Sequence, residues 1–172
     1  WVLTDAMPTG SLKVSEIVEM GRFPYTNLFG KLSENDKKII DDAIEAVHLS
    51  HKKDYRYSSL SDGEKQRTMI AKALAQDTPI IFLDEPTSHL DLPNTIEIMQ
   101  LLQSLARKTK KAILLSTHEL ELTLQVADKI WMMTPNKLTR GLPEDLILSG
   151  SLQKTFGTEH FRFDETTGGF RM

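Results

Sequence analysis

Two adjacent carboxylates, Asp84 and Glu85, close a short apolar run, Pro79-Ile80-Ile81-Phe82-Leu83. A magnesium–nucleotide site uses such a pair, one acid helping to hold the metal and the other handling a water proton. The run is too short for a lone buried helix and is bounded by a proline and by acids, so it reads as a buried strand. That strand delivers both carboxylates to its C-terminal end, where ligands bind in open α/β sheets. A strand followed by an acidic turn is the plainer alternative. Upstream, Ser61 is followed three residues later by Glu64, ahead of an apolar run. This is a capping box, and it predicts a helix start. A helix start offers free amides and the positive end of the dipole, a ready anion site. Gly63 lets a phosphate approach the backbone, and the Ser61 hydroxyl supplies a further hydrogen bond. A second apolar run, Ala112-Ile113-Leu114-Leu115-Ser116, leads to His118. That histidine could meet a ligand or merely cap the helix that follows.

The elements that must position these groups are also written in the sequence. Val14, Ile17 and Val18 share one helical face, and Gly21 and Pro24 predict where that helix stops. Ser33 is a natural cap, and Ile40, Ala43, Ile44 and Val47 repeat at three- and four-residue steps. Met69, Ile70, Ala73 and Leu74 form the inner face of the helix after Ser61. Asp91 with Pro93 predicts a helix to about Lys108, its inner stripe Ile96, Met99, Leu102 and Leu105. Leu120, Leu124 and Ala127 make a short helix, and Pro135-Asn136 turns a hairpin between Lys129–Met133 and Leu138–Arg140. Short helices near Pro143–Leu148 and Ser151–Phe156 and a strand pair around Phe161, Phe163 and Gly168-Gly169 complete the chain.

Leu60-Ser61-Asp62-Gly63-Glu64-Lys65-Gln66-Arg67, together with the strand ending in Asp84-Glu85, resembles the signature and Walker B motifs of ATP-binding cassette (ABC) ATPases. The family signature is written L-S-G-G-Q-x-Q-R; this chain departs from it at Asp62 and Glu64. Ser88-His89-Leu90-Asp91 is similar to the family's D-loop, and Ser116-Thr117-His118-Glu119 to its switch-histidine segment. Val14 to Tyr25 resembles the V-x-E-L-V-x-x-G-R-x-P stretch of ATPases that serve iron-siderophore, haem and cobalamin importers. The likeness covers nearly the whole chain.

It implies an α/β fold, part of a P-loop NTPase (RecA-like) core with an inserted α-helical subdomain. Residues 1–4 would end a core strand, 5–76 would hold the Q-loop and the helical subdomain, and 77–172 would form the C-terminal part of the ATPase core. Asp84 would hold magnesium through water, Glu85 would polarise the attacking water, and His118 would contact the γ-phosphate. Ser61, Gly63 and Glu64 would meet the γ-phosphate of an ATP held by a second subunit, and Asp91 would couple the two sites of this homodimer. The acids Asp62 and Glu64 would weaken closure on nucleotide unless lysines such as Lys65 offset them. Thr4 stands where the family carries the Q-loop glutamine. The implied partner is a transmembrane permease that would dock near the Q-loop and the helices from Val14 to Val47 and import an iron-chelate or cobalamin-like solute, with the ATPase peripheral at the inner face of the cell membrane. A non-transport ABC ATPase of translation or DNA repair, or a non-catalytic interaction module, are the other readings.

Bulk properties narrow the field. At 172 residues, 40% hydrophobic and 26% charged, the chain suits one globular domain. A net charge of -3 gives no case for nucleic-acid binding, and the absence of cysteine excludes disulfides and thiolate metal sites. No apolar run approaches the roughly 20 residues that span a bilayer, and no signal peptide is seen, so a cytoplasmic location is expected. His48 and His51 with Asp54 make a poor metal set. A P-loop needs G-x-x-x-x-G-K-[ST]. The one Gly-Lys pair, Gly30-Lys31, is followed by Leu32, and Tyr25 takes the place of the first glycine. The expectation is a C-terminal portion of a longer ATPase, cut just before the Q-loop and inactive alone.

Overall fold

A computed structural model describes residues 11–26, 31–157, 162–164 and 169–171. The expected strand through Thr4, the Q-loop position, Gly30 and Phe161 lie outside the described residues. The chain forms two compact units, Trp1–Thr117 and His118–Met172.

In the first unit, α1 (Val14–Glu19) buries Val14, Ile17 and Val18 completely. The α-helix ends ahead of Gly21, as expected, and the chain then tightens into a 3₁₀ turn, Met20–Tyr25, that includes Pro24. Gly21 packs so closely on the next helix layer that a Cβ would collide with the Lys72 carbonyl. Arg22, 5% exposed, holds the turn in place. Its Nε donates to Asp36 Oδ1 and its Nη1 to the Ala75 carbonyl, each at 2.9 Å. Asp36 also accepts from the Ser33 hydroxyl (2.6 Å) and amide (2.9 Å). Ser33 first, then Arg22, holds the Asp36 carboxyl below the usual carboxylate range, against its burial. The network ties the 3₁₀ turn to the start of α2 (Glu34–Ala46) and the end of α3 (Asp62–Ala75).

The expected apolar face of α2 is buried, and α3 adds Ala71 and Ala75 to its own. These side chains share one core with Ile81 and Leu83 of β1 (Ile80–Leu83) and with α4 (Leu92–Thr109). Asp91 caps α4 by accepting from the Asn94 amide at 3.0 Å, Pro93 sits in the first turn, and Lys110 ends the helix at φ 56°. Its buried stripe is wider than expected. Ile98 and Leu101 join Met99, Leu102 and Leu105, while Ile96 is half-buried.

α4 returns the chain to β2 (Ala112–Leu115), which pairs parallel to β1 with Ile80 opposite Ala112 and Leu83 opposite Leu115. Both strands were expected to be buried. β1 buries only Ile81 and Leu83 and β2 is at most half-buried: Ile80 (48%), Phe82 (49%) and Leu114 (39%) remain exposed. Side chains alternate across a strand, and the helices cover the face that carries Ile81 and Leu83.

The second unit begins with α5 (Leu120–Val126) and the antiparallel hairpin β3 (Ile130–Thr134) and β4 (Lys137–Gly141) around Pro135-Asn136. Helices α6 (Pro143–Leu148) and α7 (Ser151–Phe156) follow. Ile130, Met132, Leu146 and Leu152 form its core, with Leu120 and Leu124 packed against it. Strands β5 (Arg162–Asp164) and β6 (Gly169–Arg171) pair antiparallel. Among the described residues no helix is long and apolar enough to cross a membrane.

Candidate functional site

The parallel ladder runs one step beyond the strands. The Ser116 amide donates to the Leu83 carbonyl at 3.0 Å, which sets Ser116 beside Asp84 at the strand tips. There the Ser116 hydroxyl donates to Asp84 Oδ1 at 2.5 Å and accepts from the Glu85 amide at 2.9 Å. Glu85 has φ 40°, in the left-handed region that a side chain enters at a cost of about 1–3 kcal/mol. The Ser88 amide donates to the Glu85 carbonyl (3.0 Å), so the turn is held on both sides of the strained residue. Both carboxylates are exposed at the C-terminal edge of the sheet, as expected. Ser116 is the functional candidate that sequence reasoning missed. Aligning the two apolar runs as parallel strands would have found it.

Ser61 caps α3: its hydroxyl accepts from the Glu64 amide (3.3 Å), and Glu64 Oε2 accepts from the Ser61 amide (3.0 Å). The two acids that break the family pattern each have a lysine. Asp62 pairs with Lys65 at 2.9 Å and Glu64 with Lys52 at 2.5 Å. Lys52 is the main reason the Glu64 carboxyl is held below the ordinary glutamate range, against partial burial. Gly63 is buried, and a Cβ there would come within 2.5 Å of Asn94 Oδ1. Its first demand is therefore close packing of α3 on α4. Asn94 Nδ2 donates to Asp91 Oδ1 at 2.6 Å, so Asp91 is joined to the start of α3 through Asn94. A cavity of about 240 Å³ opens beside this junction, lined by His48, His51, Ser61, Glu64, Arg67 and Glu97 among others.

The structure thus gathers Ser61, Gly63, Glu64 and Asp91 into one cluster, and Asp84, Glu85 and Ser116 into another. His118 belongs to the second unit, where it is exposed, with Nε2 3.7 Å from Glu119 Oε1. The helix after it has Glu119 at its N-cap position, with no side-chain cap hydrogen bond. The donors at the strand tips are hard oxygens, two carboxylates and a hydroxyl. That chemistry suits magnesium, which takes one or two carboxylates and keeps several waters.

Residues 7–88 match the ABC transporter family model. Over 172 residues the chain is 37% identical to an uncharacterised ABC transporter ATP-binding protein of Methanocaldococcus jannaschii, covering 99% of this chain and 59% of that protein. It is 36% identical over 146 residues to the siderophore transport system ATP-binding protein YusV of Bacillus subtilis, covering 84% of this chain and 53% of that one. Among solved structures, a metal-chelate type ABC transporter in an inward-facing conformation superposes with a TM-score of 0.81 at 30% identity, covering 92% of this chain and 62% of that chain. The chain therefore spans little more than half the length of the curated relatives it matches. Its α/β fold is that of ABC ATPase domains, a P-loop NTPase fold. By sequence and fold the chain belongs to the ATP-binding domains of ABC transporters, with siderophore and iron-hydroxamate importer ATPases among its relatives.

Proposed function

We propose that the protein is the ATP-hydrolysing subunit of an importer for iron-chelate or cobalamin-like solutes, working at the inner face of the cell membrane with a transmembrane permease. The observation that carries this reading is the strand-tip cluster, where one hydroxyl binds the Asp84 carboxylate and the backbone amide of Glu85, with both acids exposed side by side. Residues 5–76 serve as the Q-loop and helical subdomain, and 77–172 as part of the catalytic core.

Phosphoryl transfer asks the protein mostly for positioning and charge stabilisation. Asp84 would hold magnesium, which when bound would neutralise phosphate charge. Glu85 accepts the proton of the attacking water, and His118 aligns that water against the γ-phosphate. Ser61 and the amides that open α3 bind the γ-phosphate of an ATP held by a second copy. Lys52 and Lys65 cancel the charges of Glu64 and Asp62, so the positive dipole end of α3 keeps its attraction for anions. Asp91, joined to α3 through Asn94, sits where the two copies meet. The 172 residues contain no G-x-x-x-x-G-K-[ST], so this chain does not close the site alone.

The test is Glu85→Gln in the intact protein purified with its permease. ATP binding persists and turnover falls roughly 10²–10⁴-fold, the usual scale for a general base. Turnover at the parental rate, or purification without any permease, contradicts the reading.

A further inference from the structure

We propose that Ser116 is a positioning residue for hydrolysis, fixing the magnesium-binding carboxylate and the general base together. This rests on the roles just assigned to Asp84 and Glu85. A serine hydroxyl has one proton to donate and lone pairs to accept. Here the proton goes to Asp84 Oδ1 and a lone pair receives the Glu85 N–H. One atom just beyond the end of β2 thereby sets the direction of one acid and the backbone of the next.

Each bond corrects a different weakness of the tip. Asp84 is exposed, and without a partner its carboxylate could swing among rotamers. Glu85 sits at φ 40°, and its amide needs an acceptor in that strained conformation. Ser116 can serve both because its own backbone is fixed by the hydrogen bond its amide donates to the Leu83 carbonyl. Because Ser116 is exposed, removing its hydroxyl opens no cavity in the core. The effect of a substitution therefore falls on the site and not on packing.

The experiment measures ATP turnover of the intact protein against magnesium concentration at saturating ATP, for Ser116→Ala, Ser116→Thr and Glu85→Gln, with the thermal midpoint of each. Partners that orient metal ligands typically contribute 10–100-fold to metal affinity or activity. Ser116→Ala raises the half-saturating magnesium concentration and lowers kcat by roughly 10-fold or more, with the thermal midpoint unchanged. Ser116→Thr, which keeps the hydroxyl, restores both. Should the alanine variant fail to fold, Ser116→Cys, with its weak donor, replaces it and shows the same losses. A parental magnesium response and kcat in the alanine variant, or a threonine variant as impaired as alanine, overturns the positioning role while Glu85→Gln stays inactive. Parental turnover in Glu85→Gln overturns instead the roles on which it rests.

Discussion

Glu64 and Asp62 show how a departure from a motif can be absorbed by nearby lysines, one local in sequence and one brought in by the fold. Each acid at the opening of α3 has a lysine within ion-pair distance, Lys52 from a 3₁₀ turn at Ser50–Lys52 and Lys65 from the helix itself. Lys65 was visible in the sequence at helical spacing; Lys52 was not, because the turn that carries it to Glu64 is a tertiary feature. The Glu64 carboxyl titrates below its unfolded value, so the stabilisation it brings is full above that value, about pH 4.3, and is lost as pH falls through the lower folded value. Lys52→Met removes the largest cause. Thermal midpoints measured from neutral pH downward should show the variant destabilised near neutrality, by about 1 kcal/mol or less for a pair this near the surface. The gap between variant and parent should close in acid.

At the scale of elements, local signals proved sufficient wherever an element is set by its own ends. Ser33, Ser61 and Asp91 cap the helices they were expected to cap, and the hairpin at Pro135-Asn136 and helices α6 and α7 lie where turn residues and prolines put them. Elements held from a distance were misread. The α-helix ends before Gly21 as read, but the 3₁₀ turn that carries on to Tyr25, held where Arg22 reaches Asp36 and the Ala75 carbonyl, was not foreseen. The continuous apolar runs of β1 and β2 gave no sign of the open face of Ile80, Phe82 and Leu114, since what covers a sheet is set by the rest of the fold. The contact between α3 and α4 was equally invisible. Gly63 read as room for a phosphate, and its nearest neighbour is Asn94. Gly63→Ala pushes the Asn94 side chain off Asp91 and should lower stability by about 1–3 kcal/mol in chemical denaturation. A Gly63→Ala, Asn94→Ala double variant recovers part of that loss. Equal stability of parent and Gly63→Ala would show that Asn94 moves aside without strain.

For the whole molecule, the two clusters of the first unit are halves that need opposite partners. The strand-tip cluster offers carboxylates and so calls for a cation and a water, while the opening of α3 offers amides and a hydroxyl and calls for an anion. A triphosphate bridging two copies satisfies both demands, which is the central claim. The direct measurement is a magnesium–ATP-bound structure of the intact protein carrying Glu85→Gln to hold the nucleotide. The account predicts Ser61 Oγ of one copy within about 2.5–3.0 Å of a γ-phosphate oxygen, with the magnesium on that same nucleotide beside Asp84 of the other copy. Ser61 lying away from every phosphate, with Asp84 still at the metal, would contradict it.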